Sequence, residues 1–505
     1  MNFFKMKGDN MKRSLKIMSA MLTLLLLFSM TLIFSSCKGG DDTTGTSGAD
    51  GTVSTDNALP ALEVKNLGGK EMLILWPEMH ADGHYLHNEI DVGEISSDVI
   101  DRAVMERNNV VEIAYNVNIT TTTMFISDVA KTVRTEYSSG ESTYSAIACS
   151  INNSNMLALQ QEGGLADFNT LKYYDESQPW WNHSLMQDLA VANARYFASG
   201  DIIYSDDFYP YCTFVNNTVS KNNGITEDYH ELVKNKEWTL EKFHVFAAQA
   251  QNDQVDGDPN TWSDADINGA VVNENFAKAA YYSAGKGIVD FDANGYPVWQ
   301  MTVERTQTIL EKIIGVIHKD KACFNAGQFT DHAVQELSLF VGGKALFLVE
   351  ELIFAERITK ADYATDFSLL PFPLYEEGGE YISVLNDSLV VSIPVMCNDK
   401  DDICLVLSAM SRESVNTLTP AFFETVLTYR YMQDPQSVET LNIILDSTVA
   451  PDIATIKNWG GFREQFKLLA FANSTDFSSY YSSNIGKAMG ELENYCVLLD
   501  KYYGK

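Results

Sequence analysis

The chain has 505 residues, 45% of them hydrophobic, with 36 Lys and Arg against 68 Asp and Glu and a formal charge of −32. That is enough chain for two or three domains, or two large lobes, with the apolar share of a globular protein. The negative field repels nucleic acid and anionic headgroups, which excludes a nucleic-acid partner and disfavours an anionic ligand. No internal repeat of roughly 20–50 residues marks a solenoid or propeller.

The N-terminus carries Lys5, Lys7, Lys12, Arg13 and Lys16 ahead of an uncharged apolar run over residues 17–34. This is the pattern of an export signal. Ser35, Ser36 and Cys37 follow and resemble the bacterial lipoprotein cleavage box, in which Cys37 becomes the lipidated first residue. An uncleaved membrane anchor is the alternative. Residues 38–60 are Gly, Ser, Thr and Asp with little to bury, a tether with a reach of about 25 Å. The expected organisation is a signal peptide over 1–36 and a tether over 37–59. The folded part then faces outward from the membrane.

Residues 71–76 (EMLILW) read as a first buried strand, followed by a helix capped by Ser96 or Ser97 and running through Arg107. Residues 117–120 read as a strand, 126–134 as a helix, and 142–149 as a strand feeding a polar turn over 150–154. This βαβ rhythm predicts an α/β class with parallel strands and right-handed crossovers. Further strands are expected at 212–215, 369–372 and 388–394, with helices from Thr239 through Ala250 and over 302–317. An apolar run over 340–349 stops abruptly at Glu350 and Glu351, and the last ninety residues read as helices. Six cysteines lie beyond Cys37 (Cys149, Cys212, Cys323, Cys397, Cys404 and Cys496) with no Cys-x-x-Cys pair. Only Cys397 and Cys404 are close enough in sequence to suggest a loop-closing disulfide.

Several strings in this order are similar to the extracellular solute-binding proteins of carbohydrate-type, maltose-binding-protein-like ABC transporters. They are EGGLADFNTLKYYDESQPWW at 162–181, Gly200-Asp201-Ile202, Lys236-Glu237-Trp238-Thr239, residues 367–387, and residues 411–420 with Phe422-Phe423-Glu424. The resemblance implies a two-lobed periplasmic-binding-protein-like fold with a hinge and an interlobe cleft. It places lobe 1 over 60–206 and 363–416 and lobe 2 over 207–362 and 417–505. The crossings fall near 206–212, 361–368 and 415–421. It also implies a monomer without catalytic residues, which captures a carbohydrate and delivers it to permease subunits with a separate ATPase chain. The setting is the outer face of the cell membrane, by lipid anchor.

Sugar recognition calls for aromatic faces together with carboxylates and amides. Strand ends place Trp76, Glu78, Asn152 and Asn153 as candidates in lobe 1. Glu350, Glu351 and Trp459 are the candidates from lobe 2, and Tyr209, Tyr211 and Asp387 those from the hinge and the returning strand. Trp181 is a further candidate, with packing beneath the hinge as the plain alternative for it and Trp180. Glu350 and Glu351 have a solvated helix start as theirs.

Two other constellations compete. His80, His84 and His87 share one face if helical, which would make a metal-binding transport lipoprotein. Asp264, Asp266 and Asn268, ahead of Gly269, fit the start of an EF-hand loop whose twelfth position is Asn275; a structural calcium is the cofactor this would bring. A glycoside-acting enzyme is the third class. No Gly-x-Ser-x-Gly, His-Glu-x-x-His, Walker or dinucleotide motif is present.

Overall fold

In the computed structural model the described residues are 59–78, 88–93, 98–152, 154–252, 266–285, 287–361, 365–423 and 435–503. The strands in chain order are β1 (Lys70–Glu78), β2 (Val117–Phe125), β3 (Ala146–Ser150), β4 (Tyr211–Asn216), β5 (Asn268–Val272), β6 (Val289–Phe291) and β7 (Pro297–Trp299). They continue as β8 (Cys323–Asn325), β9 (Ala345–Glu351), β10 (Phe367–Pro371), β11 (Ser383–Val384), β12 (Leu389–Ser392) and β13 (Thr448–Val449). Two sheets carry the architecture. The first has the order β12-β3-β1-β2 and the second β10-β4-β9-β5-β8.

In the first sheet β1 runs parallel to β2 and β3, with Ile74 opposite both Thr121 and Ala146, while β12 runs antiparallel to β3. The crossovers are the helices Val99–Tyr115 and Ile126–Ser139. The first is capped by Asp98, whose carboxylate accepts from the Ile100 amide at 2.8 Å; Ser96 and Ser97 lie outside the described residues. It runs two turns past Arg107 because Val111 and Tyr115 continue the buried face. Thr239 caps the helix Leu240–Ala250 as its sequence implies, and Thr302 the helix Val303–His318.

The second sheet is mixed. β5 is parallel to β8 and β9, whereas β4 lies antiparallel between β9 and β10. This corrects the sequence-based boundary at residue 363: Phe367 pairs with Asn216 and Pro371 with Cys212, so this stretch stays in lobe 2. An apolar five-residue run does not reveal its sheet, because its partner lies some 150 positions away. The chain returns to lobe 1 only over residues 385–389, where Pro210 bridges Leu385 and Leu389 pairs with Ser150. Lobe 2 is closed by C-terminal helices: Ser437 on the helix Pro435–Asp446 accepts the Leu369 amide at 2.9 Å.

The lobes are pressed together. The Ala192 amide donates to the Gly295 carbonyl at 2.8 Å, and the Ala450 amide to Asp188 Oδ2 at 3.0 Å. Gly295 has φ +78° and a Cβ there would stand 2.5 Å from the Asn193 nitrogen, so this contact requires glycine. Gly200, φ +139°, packs so closely on the Trp180–Asn182 backbone that a Cβ would meet the Trp180 oxygen at 2.2 Å. Both Trp180 and Trp181 are accordingly core residues. The described cysteines are free thiols, Cys397 and Cys404 among them. Among the described residues no helix is long and apolar enough to cross a membrane; the run over 17–34 and Cys37 lie outside them.

Candidate functional site

The carboxyl ends of β3, β5 and β9 and the first residues of β4 and β12 meet along one seam between the lobes. Polar side chains gather there because a strand end releases backbone groups that need partners. Glu350 and Glu351 end β9 and are 4% and 5% exposed, which rules out a solvated helix start. The Asn273 amide, one residue past β5, donates to Glu350 Oε1 and, at 3.0 Å, to Glu336 Oε1. Asn386, in the crossing back to lobe 1, donates to Glu351 Oε1, while its own Oδ1 accepts from Lys278 Nζ at 2.6 Å. The Lys278 ammonium also lies 5.4 Å from the ring centre of Tyr211.

Burial dominates the protonation of this group. Desolvation pushes Glu336 up to about 7 and Glu351 up to about 8, the latter helped by the neighbouring Glu350 charge. Glu350 is raised by burial and then by Glu336. Lys278 is driven down to about 7 by burial and then by the Lys467 charge. The seam therefore favours neutral acids and a weakly held lysine proton near neutrality.

From lobe 1, Asp387 Oδ1 accepts from Ser150 Oγ at 2.6 Å, and Asn152 donates through its amide to the Asn386 carbonyl. Tyr209 accepts the Asn386 amide on its carbonyl at 3.0 Å. So Asn152, Tyr209, Tyr211, Glu350, Glu351 and Asp387 come together. Glu78 does not join them; it is exposed at the end of β1 and accepts from Thr123 Oγ1 at 2.7 Å. Trp76, Trp181 and Trp459 are at most 3% exposed. They differ from the expected ring platforms: Trp76 and Trp181 lie in the lobe 1 core, and Trp459 packs edge-on to Tyr495 at 5.4 Å.

Sequence reasoning missed Glu336, Asn273, Lys278 and Asn386. One signal was available: Lys278 is the lone charge in the helix Asn275–Ser283, whose other members are small or aromatic. Asn153, His80, His84, His87 and Asp264 lie outside the described residues. The calcium-loop reading fails at its other end. Asn268 opens β5 and donates to the Lys344 carbonyl, and Gly269 is packed in that strand with a would-be Cβ 2.0 Å from the Ala247 oxygen. An EF-hand loop needs a turn there. Among the described residues no group of three or more His, Cys, Asp and Glu could hold a metal ion.

Two α/β lobes and strand ends facing a common seam define the two-lobed fold of ABC-transporter solute-binding proteins. Solved structures agree. The chain is similar to a cyclic alpha-maltosyl-1,6-maltose binding protein from Arthrobacter globiformis, with TM-score 0.56 and 13% identity over 85% of this chain and 100% of that one. It is also similar to an ABC substrate-binding protein from Listeria monocytogenes in complex with cycloalternan, with TM-score 0.52 and 14% identity over 84% and 99%. A sugar transporter from Rhizobium etli in an open conformation matches with TM-score 0.52 and 12% identity over 84% and 98%. No protein-family model and no curated protein matches the chain.

Proposed function

We propose that the protein captures a carbohydrate between its lobes and delivers it to a membrane permease energised by a separate ATPase chain. The observation that carries this reading is the seam itself, where amides, carboxyls and tyrosines from both lobes converge at strand ends. Those groups suit saccharide hydroxyls, and burial holds the acids in a form that both donates and accepts. The fold neighbours, among them a cycloalternan complex, a sugar transporter and a cyclic maltosyl-maltose binding protein, support the same reading. Closure stabilised by ligand is the physical device, because a ligand touching both lobes binds only the closed arrangement well. Anchoring through a lipidated Cys37 on the outer face of the membrane completes the proposal.

Two carboxyls that hydrolyse a glycoside need about 5 Å or more between them. Glu336 and Glu350 instead adjoin under one Asn273 amide and are buried, which favours binding over hydrolysis.

The test is a thermal-shift screen of the protein against mono- and oligosaccharides, amino acids, polyamines and divalent metals. A saccharide at a hundred times its Kd should add about 2.7 kcal/mol and raise the midpoint. A shift with metals alone, or release of reducing sugar on incubation, would overturn the proposal.

A further inference from the structure

Between the helices Asn275–Ser283 and Phe462–Phe471 lies a cavity of about 20 Å³, lined by Lys278, Tyr281, Thr455, Arg463, Phe466 and Lys467 among others. Every charged side chain on its wall is basic, in a chain with 68 acidic and 36 basic residues. Lys467 and Arg463 share Glu464, at 3.2 and 2.7 Å. Lys278 is different. It is 8% exposed, its one hydrogen-bond acceptor is the neutral Asn386 Oδ1, and among the described residues no carboxylate pairs with it. The charges of Glu351 and Asp387 act on it without a direct ion pair, and a buried ammonium without one is costly. Two of its three donors are left for something else.

We infer that this cavity is an anion subsite of the cleft, which takes the oxyanion group (carboxylate, sulfate or phosphate) of an acidic saccharide, with Lys278 as its main donor and Lys467 and Arg463 behind it. The inference rests on the carbohydrate reading above and specifies its substrate class. It reverses the expectation drawn from net charge. The overall field acts weakly across a Debye length, whereas a partner at hydrogen-bond distance in a desolvated pocket meets the local charge. The cavity has room for about one water. The oxyanion would therefore take the place of Asn386 at Lys278 as the lobes close.

The experiment is calorimetric titration of the full chain with trigalacturonate, a sulfated galactose trisaccharide, a sugar phosphate and their neutral counterparts, repeated on Lys278→Met and Lys467→Gln. At least one acidic ligand should bind tenfold or more tighter than its neutral counterpart, and the three acidic probes identify which oxyanion is meant. Lys278→Met should weaken the acidic ligand at least tenfold more than it weakens the neutral one; Lys467→Gln should act in the same sense, less strongly. Equal binding of acidic and neutral ligands, or acidic binding untouched by both substitutions, overturns the subsite and leaves the carbohydrate reading standing. Binding of no saccharide of either kind overturns that reading and the subsite with it.

Discussion

The two faces of the seam are built differently. Lobe 1 and the returning crossing offer Ser150, Asn152, Asn386 and Asp387: Ser150 donates to Asp387, and Asn152 to the Asn386 carbonyl. Lobe 2 offers Glu336, Glu350, Glu351 and Lys278, ionisable groups that burial has pushed away from their charged forms. Geometry is thus set by one lobe and charge by the other. Substitutions on the lobe 1 side should change how well the lobes meet, and those on the lobe 2 side should change how that meeting depends on pH.

The largest effect expected is on stability, outside both faces. Trp76→Ala empties a site 3% exposed in the lobe 1 core and should cost about 3–5 kcal/mol, read from a urea unfolding midpoint. A loss below 1 kcal/mol would mean the indole is a ligand platform after all.

Next comes pH. Glu336 and Glu351 have folded values near 7 and 8, above the ordinary carboxyl value of 4.5. The folded protein holds these protons more tightly, so their contribution is fully present below about pH 4.5 and is lost as pH rises through 7 to 8. Asp188, raised to about 7 by burial at the lobe contact, adds to the same limb. Lys278 acts in the opposite sense. Its folded value near 7 lies below the usual 10.5, so its penalty is full below 7 and fades as pH climbs toward 10.5. Thermal midpoints should therefore fall between pH 5 and 8 and partly recover above it, with each of the three raised acids worth on the order of 3 kcal/mol. Glu351→Gln should flatten the fall and Lys278→Met the recovery. A flat profile in the parent protein would show that these groups are hydrated.

Much of this fold was legible in the sequence. The apolar run at 71–76, the cap Thr239 and the helix over 302–317 all follow from local pattern. The misplaced boundary at 363 and the missed Asn273 and Asn386 share one cause: each depends on a partner far along the chain, Cys212 for Pro371, Glu336 for Asn273 and Glu351 for Asn386. The tryptophans misled for a related reason. An indole at a strand end suits a sugar face and a lobe core equally well, and only the packing around it decides.

The smallest effect sharpens the contrast between the faces. Asn386→Ala removes an amide that donates to Glu351 and accepts from Lys278, so it cuts a bridge between the polar and the ionisable sides. Stability should fall by about 1–2 kcal/mol, since both groups it leaves are buried. The informative readout is the pH profile. Glu351 loses the hydrogen bond that favours its charged form, so its proton should be held to still higher pH. The fall in midpoint should then move to higher pH in Asn386→Ala and stay put in Glu78→Ala, which removes an exposed side chain at the end of β1. If both variants move it alike, the crossing does not link the two faces, and geometry and charge at the seam are set independently.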